Sequence, residues 1–245
     1  MRIAIVSDIH GNLAALEAVV KDFTTRDVDA VINLGDSLSG PLMPLETAQF
    51  LMAQEWTQIA GNHERQLLTL GPGQRGPSDE FAYSQLTAME LEWLASLKPC
   101  APYGRQILLC HGTPGCDKEY FLETVEPTRV RAATPPEVDE RLGDVEAELI
   151  ACGHTHVPRS VRASSGKLII NPGSVGLQAF DDVKPYPHVM ETGSPDARYA
   201  IVERTTDAWV ATLITVPYNY KAMAELARKR QRNDWARALL TGYMS

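Results

Sequence analysis

The sequence lacks an excess of positive charge. It has 23 lysines and arginines against 31 aspartates and glutamates, which gives a formal net charge of −8 at pH 7. Because a general nucleic-acid binder needs a basic face for the phosphate backbone, we expect no general nucleic-acid binding. The acidic balance does not exclude a nucleotide-sized ligand, since bound cations can meet its phosphate.

The chain also has few cysteines and no long apolar run. Its four cysteines form no CxxC pair, and two of them lie in apolar strand-like segments, where cysteine acts as a small hydrophobe: Cys110 and Cys152. No stretch approaches the roughly 18 apolar residues of a membrane span, and the amino terminus lacks the apolar segment of a signal peptide. We therefore expect a reduced, cytoplasmic setting and no membrane partner.

What is present is the pattern of an α/β protein. A chain of 245 residues with 44% apolar residues can bury one large core. Short β-branched runs alternate with segments of helical periodicity, which predicts strands at 2–7, 28–34 and 56–60 and helices at 13–23 and 44–53. This alternation is typical of βαβ units and a largely parallel sheet.

The pattern changes further along the chain. It predicts strands at 106–110 and 148–152, helices at 87–97 and 135–142, and then two antiparallel hairpins, at 159–171 and 198–216. Helical pieces follow at 220–229 and 234–240, and the segments 71–77 and 181–195 are predicted to be loops. We expect a single domain over residues 1–245, with a core to about 217 and a C-terminal helical extension over about 218–245.

Five of the six histidines lie in short motifs where predicted strands end. The motifs are Asp8-Ile9-His10, Gly35-Asp36, Gly61-Asn62-His63-Glu64, Cys110-His111-Gly112 and Gly153-His154-Thr155-His156. In an open α/β sheet, ligands bind beyond the carboxyl ends of the strands. A mixed oxygen and nitrogen set without thiolate suits Mn²⁺, Fe or Zn²⁺. The sequence therefore predicts one polar, metal-binding site.

In this order the motifs resemble the calcineurin-like metallophosphoesterase family, from residue 2 to about residue 176. The segment Asn171-Pro172-Gly173-Ser174-Val175-Gly176 is similar to one in the small bacterial phosphodiesterase branch. The resemblance implies an α/β fold of the αββα type, a two-sheet β-sandwich flanked by helices. Its N-terminal part would be parallel, with antiparallel hairpins in the C-terminal third.

The resemblance also implies two divalent metal ions, Mn²⁺ first, with Fe, Zn, Ni or Co as alternatives. The first ion would be held by Asp8, His10 and His156, and the second by Asn62, His111 and His154. Asp36 would bridge the two ions. The catalytic residue His63 would stay off the metals and donate a proton or hydrogen bond to the substrate. A metal-bound hydroxide would attack a small phosphodiester or nucleotide-like substrate directly.

Several of these residues admit plainer interpretations. Asp8 and Asp36 could cap helices. Asn12 could contact a substrate phosphate or simply begin the first helix, and Arg65 could hold that phosphate bidentately or lie in solvent. His188 has no motif around it and is predicted to lie in a surface loop. The segment 71–77 could be a specificity lid or a plain connection, and 171–176 a turn or the floor of the pocket.

The motifs leave the activity within the family open. Its phosphoprotein phosphatases and symmetrical dinucleoside tetraphosphatases usually carry an arginine shortly after Gly-Asp, whereas this chain continues Ser37-Leu38-Ser39-Gly40. The presence of a glutamate, Glu64, directly after His63 resembles the motif of the protein phosphatases. Both activities therefore remain alternatives, as does a non-catalytic scaffold of the same fold. A DNA-end nuclease fits poorly with the acidic balance, and a homo-oligomer is possible.

Overall fold

A computed structural model describes all residues from 1 to 245. The strands are β1 Arg2–Val6, β2 Ala30–Asn33, β3 Thr57–Gln58, β4 Cys100–Tyr103, β5 Ile107–Cys110, β6 Glu123–Glu126, β7 Arg129–Ala132, β8 Leu149–Ala151, β9 Arg159–Arg162, β10 Leu168–Asn171, β11 Ala179–Asp182, β12 His188–Glu191, β13 Ala197–Arg204 and β14 Trp209–Val216. The helices are α1 Leu13–Thr24, α2 Pro44–Met52, α3 Asn62–Thr69, α4 Pro77–Gln85, α5 Ala88–Ser96, α6 Pro135–Leu142, α7 Tyr220–Lys229 and α8 Asn233–Thr241.

Ten strands form two five-stranded sheets. In the first sheet, ordered β14-β13-β1-β2-β3, the strands β1, β2 and β3 are parallel and β13 is antiparallel to both of its neighbours. In the second, ordered β4-β5-β8-β10-β9, the parallel strands β5, β8 and β10 lie between two antiparallel edges. The carboxyl ends of the parallel strands carry the predicted ligand motifs.

The two sheets pack face to face around the largest core cluster. Ile3 and Ile5 of β1 lie there with Leu109 and Ile170 of the second sheet, all buried. Because side chains alternate along a strand, Ala4 and Val6 face the other way and pack against α1. The outer face of the second sheet is covered by α6. The predicted sandwich of two sheets flanked by helices is confirmed.

The C-terminal part differs most from the sequence-based expectation. The segment 181–195, predicted to be an exposed loop, contains most of an antiparallel hairpin, in which β11 pairs with β12. Pro185, which has no N–H to donate, lies in the turn, so no hydrogen bond between the two strands is lost. Met190 of β12 is buried. His188 is therefore the first residue of a strand, and the prediction of a surface loop was wrong.

Other boundaries moved for local reasons. The predicted strand 56–60 is reduced to two residues, because Gly61 turns the chain directly into α3. The sequence analysis missed α3, α4, β4 and the small hairpin formed by β6 and β7. Strand β10 pairs with β9 in the predicted hairpin but also lies parallel to β8. No helix in the structure has both the length and the apolar character needed to cross a membrane.

Candidate metal centre and active site

The loops after β1 and β2 lie side by side and are hydrogen bonded to each other. The amide of Asp8 donates to the carbonyl of Gly35 at 3.0 Å, and the amide of His10 donates to the carbonyl of Asp36 at 3.0 Å. This pairing follows from the parallel register of the two strands, whose ends leave the sheet together. It brings the first two predicted ligand motifs into one place.

Five predicted ligands have left-handed backbone. Their φ angles are 55° at Asp8, 53° at His10, 53° at Asp36, 68° at His154 and 60° at His156. Each non-glycine residue in this region costs on the order of 1–3 kcal/mol and persists only where its surroundings hold it. The strain is concentrated at the strand ends, where it turns these side chains toward one another. No sequence pattern predicted it.

Glycines beside the ligands permit the close approach of the loops. A Cβ on Gly61 would collide with Oδ1 of Asp36, and one on Gly153 would lie 2.8 Å from Oδ2 of Asp8. Real Cβ atoms essentially never come so close. The glycines that precede Asn62 and His154 are therefore required by packing against the neighbouring carboxylates.

The first predicted ligand group is brought together. Nε2 of His10 lies 3.1 Å from Nε2 of His156, and Nε2 of His156 lies 3.3 Å from Oδ1 of Asp8. The three side chains are buried, and their candidate ligand atoms lie within 4.8 Å of one another. Two imidazole nitrogens facing each other beside a carboxylate are arranged as ligands of one cation.

The second group forms next to the first. Oδ2 of Asp36 lies 2.9 Å from Nε2 of His111, and His154 completes the set, again with ligand atoms within 4.8 Å. Nε2 of His111 also lies 3.8 Å from Oδ1 of Asp8, which connects the two groups. Asn62 lines the same cavity, and its buried Oδ1 has no hydrogen-bond partner.

Hydrogen bonds to backbone carbonyls orient the imidazoles. Three of these histidines have Nδ1 near a carbonyl oxygen, at 2.7 Å for His10 and Ser39, 2.8 Å for His111 and Leu34, and 2.6 Å for His156 and Leu177. A proton on Nδ1 makes each bond and leaves the Nε2 lone pair free. His154 has the opposite arrangement, because its Nε2 lies 3.1 Å from the carbonyl oxygen of Lys118. Its Nδ1 is then the free nitrogen.

The electrostatics of the two groups fit bound cations. Burial, reinforced by the charge of His156, lowers the pKa of His10 to about 3, and burial with His111 lowers that of His154 to about 4. Both imidazoles are therefore neutral, as metal ligands must be. Burial alone would lower the pKa of His111, but the charge of Asp36 raises it to about 10. A cation bound at Nε2 of His111 would take the place of that proton beside the carboxylate of Asp36.

Three buried polar atoms support the same interpretation. Oδ1 of Asp8, Oδ1 of Asn62 and Nε2 of His111 have no aligned hydrogen-bond partner. Nε2 of His111 is close to Asp36 but does not have the direction of a hydrogen bond. Buried polar atoms without hydrogen-bond partners are uncommon, and all three are of the kinds that coordinate divalent cations. The residues present fit two cations, and their binding stays a prediction.

His63 lines the cavity beside these groups and is held by two carboxylates. Its Nδ1 lies 2.7 Å from Oδ1 of Asp79, its amide donates to Oδ1 of Asp36 at 2.9 Å, and its Nε2 lies 4.0 Å from Oδ2 of Asp36. Burial would lower the pKa of His63, but Asp36 and Asp79 overcome it and raise the pKa to about 9. The imidazole is protonated at neutral pH, as a proton donor requires.

Asp79 was missed by the sequence analysis. It lies on α4 and is almost fully buried, 16 residues beyond His63. The pairing depends on the packing of α4 against α3. The acidic first turn of α4, just after Gly76-Pro77, was the available signal, since it marks a helix start.

Glu64 connects two of the ligand loops. Its buried carboxylate accepts hydrogen bonds from the amides of Asp36 at 2.8 Å, Ser37 at 2.8 Å and Gly61 at 2.7 Å. Burial and the nearby charge of Asp36 raise the pKa of Glu64. Glu64 therefore fixes the loop after β2 against the start of α3, without lining the cavity. Its position three residues after Gly61 is that of a capping glutamate.

Neither of the two residues predicted to contact the substrate, Asn12 and Arg65, lines the cavity. Oδ1 of Asn12 accepts the amide of Ala15 at the start of α1, and its Nδ2 donates to Gly176 and to the hydroxyl of Tyr218. Asn12 is thus a buried helix cap. Arg65 is held at the surface by Asp117, with bonds of 2.7 and 2.8 Å from its Nε and Nη2. In both cases the plainer interpretation accounts for the contacts.

The segment Asn171–Gly176 braces the ligand loops. Nδ2 of Asn171 donates to the carbonyl of Gly153 at 2.7 Å, and Oγ of Ser174 donates to the carbonyl of Asp8 at 2.7 Å. The amide of Gly176 donates to the same Asp8 carbonyl at 3.0 Å. This segment lies behind the ligands and does not line the cavity. The glycine-rich segment 71–77 contributes no lining residue either.

The ligand groups open into a cavity of about 1090 Å³. One side is formed by residues 118–125, another by β11 and the turn after it, and a third by α8. The edge of the Trp235 ring lies near His10, with ring centroids 5.9 Å apart. The predicted C-terminal helical extension thus contributes to the wall of the cavity, which the sequence analysis did not anticipate.

Known proteins share this chain's fold over nearly its whole length. An uncharacterized protein of Methanocaldococcus jannaschii is 24% identical over 252 residues, covering 95% of this chain and 94% of that protein. The crystal structure of a metallophosphoesterase from Sphaerobacter thermophilus matches with a TM-score of 0.77 and 27% identity, covering 99% of each chain. A hypothetical protein of Pyrococcus horikoshii matches with a TM-score of 0.76 at 16% identity, covering 100% of this chain and 99% of that one, and shows the fold alone.

The family assignment rests on the sequence as well as on the fold. The model of the calcineurin-like phosphoesterase superfamily domain matches residues 1–193, which include all seven predicted metal ligands and His63. This family is metal-dependent, and the two ligand groups are where its cations would be held. The chain belongs to the calcineurin-like phosphoesterase superfamily, as the resemblance implied, and is a phosphoesterase hydrolase by family.

Proposed function

We propose that the protein hydrolyses a small phosphodiester or nucleotide-like substrate with two divalent cations. The observation that carries the proposal is the convergence of two buried ligand groups and His63 on one cavity. Asp8, His10 and His156 would hold one cation, and Asn62, His111 and His154 the other. Asp36 would be shared between them. We propose Mn²⁺ first, because the donor set is oxygen and imidazole without thiolate.

The chemistry divides between the cations and the side chains. When bound, two divalent cations stabilise charge on the phosphoryl oxygens and lower the pKa of a water molecule toward 7. His63 donates its Nε2 proton to the leaving oxygen or hydrogen bonds to the phosphoryl group. Asp79 accepts a hydrogen bond from Nδ1 of His63, and so fixes the ring and keeps it protonated. Proton donation of this kind contributes typically about 10²–10⁴-fold in rate.

A diester is proposed first because no arginine is free to clamp a dianionic monoester bidentately; Lys118 and Lys184 also line the cavity but offer only single point charges. Both arginines that line the cavity are already engaged. Arg141 donates to the carbonyls of Phe121 and Glu123, and Arg232 is paired with Asp234. No free guanidinium is thus available for a second phosphate charge, consistent with the missing arginine after Gly35-Asp36. Phosphoprotein phosphatase and dinucleoside polyphosphate hydrolase activities are the alternatives within the same chemistry.

The proposal is tested by metal-dependent hydrolysis. Purified protein would be assayed with bis(p-nitrophenyl) phosphate, p-nitrophenyl phosphate, a phosphopeptide and diadenosine tetraphosphate, with Mn²⁺ and then with a chelator. We expect hydrolysis of the diester that requires Mn²⁺ and is lost with chelator. Faster hydrolysis of the phosphopeptide or the dinucleotide would favour one of those alternatives. No hydrolysis with any divalent metal, despite bound metal, would favour a non-catalytic scaffold.

A further inference from the structure

We infer that the side of the cavity next to His10 and His156 binds an aromatic or apolar organic group of the substrate. Six apolar lining residues are here called the apolar wall: Leu177, Ala179, Phe180, Trp235, Ala238 and Met244. Charged residues of the same elements line the cavity next to them: Asp181, Asp182, Arg232 and Asp234. The inference deepens the proposed function, on which it rests for the phosphoryl end of the substrate, by naming the chemical class of the other end.

The apolar wall is continuous with a packed cluster and is not a mobile rim. Leu177, Ala179, Trp235 and Ala238 are buried members of one hydrophobic cluster, and Phe180 and Met244 pack against it. The six residues come from three places: Leu177 directly after the Asn171–Gly176 segment, β11, and α8 with the chain end. Because its residues are held from behind, the wall is fixed in place; Phe180 and Met244 are half-buried, and the other four residues are at most 6% exposed.

Two aromatic rings place this surface beside the first ligand group. The ring of Phe180 lies 4.6 Å from that of His156, and the ring of Trp235 lies 5.9 Å from that of His10, centroid to centroid. A phosphoryl group held at the ligand groups would therefore have its ester substituent within reach of both rings. Aromatic rings add specific stacking and edge contacts to simple apolar burial.

The position of Trp235 is fixed by the loop that carries Asp36. A Cβ on Gly40 would lie only 2.5 Å from Cη2 of Trp235, so glycine at this position leaves room for the indole. Arg230, just before α8, donates to the carbonyl of Pro41 at 3.0 Å. Arg232 donates to Oγ of Ser78 at 3.0 Å, next to Asp79. The helix that carries Trp235 is thus attached to the loop after β2 and to α4.

The part of the cavity next to His154 has a different character. There the lining residues include Lys118, Glu119 and Glu123, and Tyr120 lies beside His154 with ring centroids 5.2 Å apart. A phosphate alone makes no use of a wall of six apolar residues, and a polar sugar would lose hydration against it. The polar side suits the hydrated part of the substrate, and the apolar wall suits a ring or alkyl group.

The test compares two non-hydrolysable anions, phenylphosphonate and methylphosphonate, on the Mn²⁺-loaded protein. Their dissociation constants would be measured by calorimetry, which does not depend on turnover. We expect phenylphosphonate to bind roughly 10- to 100-fold more tightly, because its ring is buried on the wall. In Trp235→Leu and, separately, Phe180→Leu, we expect the preference to fall to less than about fivefold.

The control variant is Tyr243→Leu. Tyr243 is an exposed aromatic residue near the end of the chain that does not line the cavity. We expect it to keep the full phenyl preference. Thermal unfolding by circular dichroism would establish that each variant is folded, and the two wall variants lie on different elements, so a folding defect in one leaves the other as the test.

The outcomes separate this inference from the proposed function. Equal binding of the two anions by the wild type would overturn the inference, as would a preference that survives in both wall variants. Metal-dependent ester hydrolysis alongside equal binding would leave the proposed function in place and remove only the inference. If the protein shows a phenyl preference that depends on Trp235 and Phe180 but no hydrolysis, the inference stands and the proposed function falls.

Discussion

The ligand groups and the apolar wall meet at one cavity but are built differently. The ligands lie at the ends of β1, β2, β5 and β8 or at the start of α3, and hydrogen bonds from backbone and side chains fix nearly every one. The wall comes from later elements and is held by apolar packing. Three of its residues, Trp235, Ala238 and Met244, lie beyond residue 193, where the match to the family ends.

The two regions place different demands on their side chains. A metal ligand must point in one direction within a fraction of an ångström, so it needs hydrogen-bonded neighbours and a constrained backbone. An apolar surface needs volume and position only, and similar side chains can replace one another there. We therefore expect substitutions among the ligands to abolish chemistry, and substitutions in the wall to change which substrate is preferred.

The largest effect is expected from Asp36→Asn. This change keeps the shape of the residue but removes the charge that faces His111 and His63. We expect loss of metal-dependent hydrolysis to the background rate and loss of bound metal, measured by elemental analysis of the dialysed protein. Full metal content with normal turnover in this variant would mean that Asp36 is not a metal ligand. The expectation that substitutions among the ligands abolish the chemistry would then be wrong.

The next effect is expected from His63→Gln. His63 lies among the ligands but is predicted to bind no metal, so both ions should remain while turnover falls by about 10²–10⁴-fold. Metal content and kcat would be measured on the same preparation. Arg65→Gln, two residues along α3 and bonded only to Asp117, is the matched control and should keep wild-type turnover. Loss of metal in His63→Gln would instead make His63 a ligand.

A smaller effect is expected from Asp79→Asn. The negative charge of Asp79 helps to raise the pKa of His63 to about 9, so its removal should lower that pKa. Since a proton donor works in its protonated form, activity should then decline at lower pH on the alkaline side than in the wild type. We expect roughly a tenfold loss of kcat at pH 8, with KM little changed. An unshifted pH profile would mean that Asp79 does not set the pKa of His63 and contributes only to packing.

The smallest effect is expected far from both regions, at Asp22. Its carboxylate is paired with Arg26 and accepts the hydroxyl of Tyr199 at 2.6 Å, and the bond from Arg26 is the main reason its pKa is lowered. A carboxylate with a depressed folded pKa stabilises the protein above its unfolded value near 3.9, and this stability is lost as the pH falls.

Asp22→Asn should therefore lower the free energy of unfolding by about 0.5 kcal/mol at pH 7, after solvent screening, and by less near pH 3. Urea unfolding at the two pH values would measure this, with metal content and turnover unchanged. A pH-independent difference would mean that the ion pair is not its source.

The convergence of the candidate ligands was predictable from the sequence, whereas many of the contacts that hold them in place were not. His10, Asp36 and His154 lie immediately after strands, so local periodicity is enough to place them at one edge of the sheets. Asp79 reaches His63 only through the packing of α4 on α3, and α4 itself was missed. Contacts that depend on how two helices meet leave no local spacing to detect.

The apolar wall was unpredictable for a related reason. The segment 181–195 has the proline, aspartate and glycine content of a loop, and it forms a hairpin because Ala179 and Met190 are buried against the rest of the molecule. Trp235 lies in a helix that was predicted at 234–240, but a predicted helix does not reveal what its apolar side chains cover. In both cases, tertiary contacts decide the structure.

The left-handed backbone at the ligands has a consequence for what this protein can become. Glycine at any of the five positions would relieve the backbone strain but would remove one coordinating group. A descendant released from the need to bind ions would therefore be free to drift toward glycine there. The present chain keeps a coordinating side chain at all five positions: Asp8, His10, Asp36, His154 and His156.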